Sequence, residues 1–167
     1  MSITFQQSII CKLGGHVDSN PELLISYPPI EQNIDNPKEI ISYCLPIGCK
    51  KGDIISKKYK KNILLSYIFE IKKAEHRDDL FSFSILVDKQ ENIELYKEII
   101  QEFILILEKN NLLTEDIFLE YQELIYHSLN KEKDLDIENI SIDLSKIFNE
   151  KRKELNKSKP KVKGSFF

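Results

Sequence analysis

The chain has 167 residues, 41% of them hydrophobic and 31% charged, with a net charge of −3 at pH 7. That length buries one real core with a tail to spare, and the composition is that of a globular protein rather than a disordered one. The slight acid excess excludes wholesale binding to nucleic acid, which needs a basic surface against phosphate.

The N-terminal MSITFQQSII has neither a basic n-region nor a long apolar core, so no signal peptide is expected. No apolar run reaches the length of a membrane span, and the longest, near EFILILEK, is bounded by charge. Three cysteines, an odd count, without a secretory signal point to free thiols in a reducing, cytoplasmic setting. In that compartment the Asn139-Ile140-Ser141 sequon has no meaning.

Along the chain, SIICKLGG places Ile9, Cys11 and Leu13 in phase and reads as a first strand. Gly14 and Gly15 open a connection to a second strand, ELLISY, with Leu23, Ile25 and Tyr27 alternating. After Pro28-Pro29 a short helix is expected. Asn36 stands as its N-cap, Pro37 at its first position, and Pro46 with Gly48 ends it. DIISKKY is a short, lysine-rich strand of the kind found at sheet edges.

The clearest alternation follows. Ile63, Leu65, Tyr67, Phe69 and Ile71 share one face of NILLSYIFEI, and Phe81, Phe83, Ile85 and Val87 share one face of LFSFSILVD. The polar stretch KKAEHRDD joins them as a hairpin. The opposite faces mix Leu64, Ile68 and Leu86 with serines and Glu70, so one face needs a large apolar cover and the other a smaller one.

The second half is helical. From Asn92 to about Asn110, a broad stripe runs through Ile93, Tyr96, Ile100, Phe103 and Leu107, widened by Ile99, Ile104 and Ile106. Thr114 caps a second helix with Glu115 and Asp116 in its first turn and apolar positions Ile117, Tyr121, Leu124, Ile125 and Leu129. NKEKDLDIEN reads as a charged linker. ISIDLSKIFNEKRKEL is a weak amphipathic helix through Leu144, Ile147 and Phe148, and NKSKPKVKGSFF is a basic, flexible tail. The predicted fold is therefore α+β: a five-stranded antiparallel sheet with two long C-terminal helices on one face and a short helix on the other. Residues 1–130 form the domain and residues 131–167 its appendage.

This order resembles the longin fold. The blocks PELLISYPP, ISYCLPIG and LFSFSILVD are similar to successive blocks of the upstream, longin-like part of DENN-family proteins: a strand ending in Tyr-Pro, a Phe-Cys-hydrophobic-Pro-x-Gly block, and a Phe-x-Phe strand. The likeness spans roughly residues 5–130. Within it Tyr27 and Pro28 close the second strand, and Cys44, Pro46 and Gly48 end the short helix. The chain holds no counterpart of the central and downstream DENN modules, so an isolated longin-like unit is expected. The resemblance implies a non-enzymatic interaction module, an adaptor or regulatory subunit for small GTPases or membrane traffic. Its implied partners are a small GTPase or another longin- or roadblock-like domain.

The residues offer two surfaces for such a role. Ile40, Ile41 and Tyr43 of the short helix, with Leu64, Ile68 and Leu86 of the thinly covered sheet face, serve either internal packing or a partner. The basic residues Lys151, Arg152, Lys153, Lys157, Lys159, Lys161 and Lys163 outweigh the local acids and suit contact with an anionic membrane. The competing reading is a solvated, flexible end.

Chemistry is harder to place. Cys11, His16, Cys44 and Cys49 are ligand types of a Cys₃His zinc site, the basis of an alternative reading as a small zinc- or thiol-dependent enzyme. The gaps within each local pair are wider than a zinc knuckle's, and Cys11 falls in phase with core residues. A thiol enzyme needs a histidine beside a cysteine; His16 could stand near Cys11, whereas His76 sits in a predicted loop and His127 near a helix end, and nothing local sets the three apart from ordinary surface histidines. The Gly14-Gly15 pair lacks the remainder of a phosphate-binding loop. No cofactor is expected.

Overall fold

A computed structural model describes residues 5–13, 20–30, 36–72 and 79–158. Strands β1 (Phe5–Leu13) and β2 (Glu22–Tyr27) precede helix α1 (Pro37–Cys44). Strands β3 (Ile54–Tyr59), β4 (Asn62–Ile71) and β5 (Asp79–Asp88) lead to helices α2 (Ile93–Lys109) and α3 (Glu115–Lys131). A small hairpin, β6 (Leu135–Ile137) and β7 (Ile140–Ile142), and helix α4 (Leu144–Ser158) complete the chain.

The sheet order is β2-β1-β5-β4-β3, every neighbouring pair antiparallel. This is the five-stranded, longin-like arrangement expected from the sequence. Its centre is the unbroken register of β4 and β5, from Asn62 opposite Asp88 to Ile71 opposite Asp79. Because side chains alternate across a strand, that register stacks Leu65 on Ile85, Tyr67 on Phe83 and Phe69 on Phe81 on one face. The other face receives Leu64 opposite Leu86 and Ser66 opposite Ser84.

The two faces bury into two separate cores. On the larger side, Phe83 and Phe69 meet Phe103 of α2 and Phe118 of α3, with ring centroids 5.7–6.4 Å apart. Each fully buried phenylalanine there contributes roughly 2–3 kcal/mol by leaving water. On the smaller side, Ile40 and Cys44 of α1 pack with Ile9, Cys11, Leu64, Ile68 and Leu86. The buried serines of this face keep it low, and Ser66 and Ser84 satisfy each other through a 2.6 Å hydroxyl hydrogen bond.

Local signals set the helix starts. Asn92 Oδ1 accepts the Leu95 N–H at 3.2 Å, and Thr114 Oγ1 accepts the Ile117 N–H at 3.3 Å, each relieving one orphan donor. Pro37 occupies the first turn of α1, where its missing N–H costs nothing. Beyond Lys109, Asn110 donates its backbone N–H to Ile106 O, and Asn111 takes a left-handed φ of 59°.

Three details differ from the sequence reading. The ELLISY strand does not keep one phase. A bulge between Ile10 and Cys11 leaves Ile25 opposite Ile10 and Leu23 opposite Cys11, so Leu23 turns to the α1 side while Leu24, Ile25 and Tyr27 face the larger core. On α3, Leu124 is exposed, and Phe118 and Tyr126 take the buried positions.

The third concerns the segment read as a charged linker, which is a hairpin. Leu135, Ile137 and Ile142 are buried in the larger core, joined by Leu144 and Phe148 of α4. α4 lies along α2, and Phe148 sets its ring against Tyr96 at 5.9 Å.

Candidate functional site

An open sheet has two edges, and here they differ sharply. β3 carries exposed Ser56, Lys57 and Lys58, with exposed Lys60 and Lys61 in the turn to β4. Charged lysines on an edge discourage another strand from adding. β2 has no lysine. Its Leu23, Leu24 and Ile25 are half-buried, and among the described residues no strand pairs on its outer side. The register beyond the bulge is regular, with Ile25, Ser26 and Tyr27 opposite Ile10, Ile9 and Ser8.

Helix α3 flanks this edge. Tyr27 donates its hydroxyl to Glu123 at 3.1 Å and sets its ring against Tyr126 and His127, 5.1 and 5.4 Å away. The nearby Glu123 carboxylate raises the Tyr27 pKa, so the phenol stays protonated. Lys12 pairs with Glu115 at 3.2 Å at the other end of α3. Leu119, 43% exposed, adds an apolar point on the same helix.

The six residues expected as a partner surface do gather in one place. Ile40, Leu64, Ile68 and Leu86 are buried together in the smaller core, while Ile41 and Tyr43 lie half-buried at its margin. Most of that set is internal packing, and what reaches the surface is the Tyr43 end of α1. Lys57 Nζ stands 4.6 Å from the centre of the Tyr43 ring, and Tyr43 meets Tyr59 edge-on at 6.3 Å.

The cysteines divide in the same way. Cys11 and Cys44 are wholly buried in the smaller core. A hydrogen bond with Cys44, together with burial, holds the Cys11 thiol well above its usual pKa, the opposite of a reactive thiolate. Cys49 is half-buried, its pKa raised by burial and by Asp53. His16 and His76 lie outside the described residues, and His127 sits beside Glu123, Tyr27 and Tyr126. Among the described residues no group of three or more His, Cys, Asp or Glu is placed to hold a metal ion. A void of about 10 Å³ near Ser8, Ser26 and Gln122 has room for a water and not for a metabolite. These arrangements undermine the zinc- or thiol-enzyme reading.

The basic residues of the C-terminal helix are partly engaged. Lys151 pairs with Glu98 at 3.4 Å and Glu154 at 3.7 Å, and Arg152 forms a two-point fork with Glu132 at 2.6 Å. Lys153 and Lys157 are exposed, while Lys159, Lys161 and Lys163 lie outside the described residues. No described helix is long and apolar enough to cross a membrane.

These features define a longin-like α+β unit. No protein-family model matches the chain, and no curated protein matches its sequence.

Proposed function

We propose that the chain is a non-enzymatic interaction module, an adaptor or regulatory subunit of small-GTPase or membrane-traffic machinery. The carrying observation is the inequality of the two sheet edges. An outer strand offers a row of unpaired N–H and C=O groups, and a partner strand that docks there gains main-chain hydrogen bonds without any chemistry. Lysines guard β3, whereas β2 has none and offers a regular stretch at Ile25–Tyr27. The DENN-like order of its Tyr-Pro, Cys-Leu-Pro-x-Gly and Phe-x-Phe blocks supports a partner that is a small GTPase or another longin- or roadblock-like domain.

The test is affinity purification of the full chain from its native source, with bound proteins identified by mass spectrometry. Leu24→Lys places a charge in β2 next to the Ile25–Tyr27 stretch, at a half-buried position packed on the larger core, and Lys58→Glu alters the opposite edge. The reading expects a small GTPase or a longin- or roadblock-like protein, lost with Leu24→Lys and kept with Lys58→Glu. Thermal melts confirm that both variants fold. Recovery of neither partner class, or equal recovery by folded Leu24→Lys, overturns it.

A further inference from the structure

Residues 50–61 hold six lysines and one aspartate, a net of +5 in a chain whose total is −3. Edge protection accounts for Lys57 and Lys58 on β3. It does not account for Lys50 and Lys51 before the strand or Lys60 and Lys61 after it. All six side chains are exposed. Lys51 stands 3.9 Å from Glu108, and Lys57 and Lys60 lie over the rings of Tyr43 and Tyr59.

Leading into this stretch and through its first residues, the chain makes two consecutive turns. Cys49 donates its N–H to Pro46 O, and Asp53 donates its N–H to Lys50 O. Gly48 at φ 88° and Gly52 at φ 93° occupy the third positions, the backbone of type II turns. Ile47 and Lys51 are thus the equivalent corner residues of the two turns. The second turn is stapled to the sheet, Gly52 donating to Ile68 O at 2.8 Å and Ile68 to Asp53 O at 2.9 Å.

Ile47 is fully exposed at its corner, at 102% of its reference area. It lies four residues after Tyr43, so at most about 14 Å of chain separates it from the ring that carries Lys57. A bare isoleucine on a fixed turn, three residues ahead of a lysine-rich sheet edge, has two features that bind an interface between water and anionic lipid. The cations meet headgroups and the apolar tip enters the acyl boundary. A nucleic acid fits less well, because it seeks aromatic faces on which to stack. Tyr59 is buried, and the Tyr43 ring is already covered by an ammonium group.

The geometry points to the β3 edge, with the turn at Ile47, as a docking surface for an anionic membrane. The surface lies on the sheet edge opposite β2, so it leaves the β2 edge open.

The test is co-sedimentation of the full chain with phosphatidylcholine vesicles, with and without 30% phosphatidylserine, at two salt concentrations. Binding is expected only to the phosphatidylserine vesicles, and it falls as salt rises. Near an anionic surface each lysine is worth about fivefold in partitioning, so K57E/K58E lowers binding by more than about tenfold. Ile47→Ser lowers it severalfold while leaving the salt dependence unchanged. Replacing Lys153, Lys157, Lys159, Lys161 and Lys163 by alanine leaves at least half of the binding. Circular dichroism confirms folding of every variant. Three outcomes overturn the assignment: no binding at low salt, binding that survives K57E/K58E but is lost with the C-terminal variant, or competition by an RNA homopolymer with no effect of Ile47→Ser.

Discussion

Arg152 of α4 and Glu132 at the end of α3 form a two-point fork, with both nitrogen–oxygen distances 2.6 Å. Glu132 caps α3 just beyond Lys131, and it holds a left-handed φ of 54° that L side chains rarely adopt. The ion pair therefore sits where the backbone is least comfortable, and it fastens the last helix to the preceding one. Arg152 also stacks over Phe148, 5.4 Å from the ring centre.

Substitutions at Glu132 separate these two effects. Glu132→Ala loses the fork and keeps the strained backbone, and should cost about 1 kcal/mol given the partial exposure of the pair. Glu132→Gly loses the same fork but relieves the left-handed conformation, and should be close to neutral. Arg152→Lys, which cannot form the fork, should cost about 0.5 kcal/mol. Urea unfolding of the three variants checks the order, and a glycine variant weaker than the alanine variant contradicts it.

Phe148 anchors α4 in the larger core, fully buried and edge-on to Tyr96. Its truncation to alanine opens a cavity that the surrounding rings cannot close, at a cost of roughly 3–4 kcal/mol. Ile147, half-buried one residue earlier, should cost about 1 kcal/mol as valine. Chemical denaturation should show a single transition for the wild type, because α4 shares the core of the sheet. A separate early transition for residues 144–158 is the contrary result.

Asp143 begins α4, accepting the Lys146 N–H at 3.1 Å and the Ser145 hydroxyl at 3.0 Å. The Lys146 N–H first, then the Ser145 hydroxyl, hold its carboxyl below the ordinary value of 3.8. A depressed native pKa makes the stabilisation present above the unfolded value, and it is lost as pH falls through the native one. The stability gap between wild type and Asp143→Ala should be full near pH 6 and close progressively below about pH 4. Denaturation midpoints at pH 6, 4 and 3 measure it. A gap independent of pH removes Asp143 from the cap.

The thiols should divide by burial. In the native state at pH 7.5, Ellman's reagent should react slowly with Cys49 and leave Cys11 and Cys44 untouched, because both are fully enclosed. In denaturant all three thiols should react. Rapid labelling of Cys11 in the folded protein is incompatible with the core described above.

Much of the fold was legible because its central elements carry dense, periodic signals. Leu65, Tyr67 and Phe69 alternate against Ile85, Phe83 and Phe81 so regularly that only one register buries all six. Pro37 and Thr114 marked helix starts through backbone chemistry that tertiary contacts rarely override. β6 and β7 escaped because three residues are too few for a period, and Leu135 and Ile137 are flanked by acids. The bulge beside Cys11 escaped for a different reason: an added residue changes phase without changing composition. On α3 the buried face is rotated toward Phe118, Ile125 and Tyr126, which leaves Leu124 at its exposed margin.

The candidate surfaces were less visible than the core. Lys57 and Lys58 announced an edge, since lysines in a short strand have few other places to go. Ile40, Leu64, Ile68 and Leu86 were apolar enough for a partner or a core, and only their burial against α1 separates the two. The exposure of Ile47 left no trace in the sequence, because an isoleucine between proline and glycine looks the same whether it is covered or bare.

The strand order carries a metric consequence. Four steps of about 4.8 Å separate β2 from β3, so their axes stand roughly 19 Å apart, held by pairing along β4 and β5 that has no slip. The sheet thus behaves as a ruler laid crosswise. Whatever attaches at one rim is kept at a set offset from whatever attaches at the other, and point substitutions change the grip at either end without changing that span.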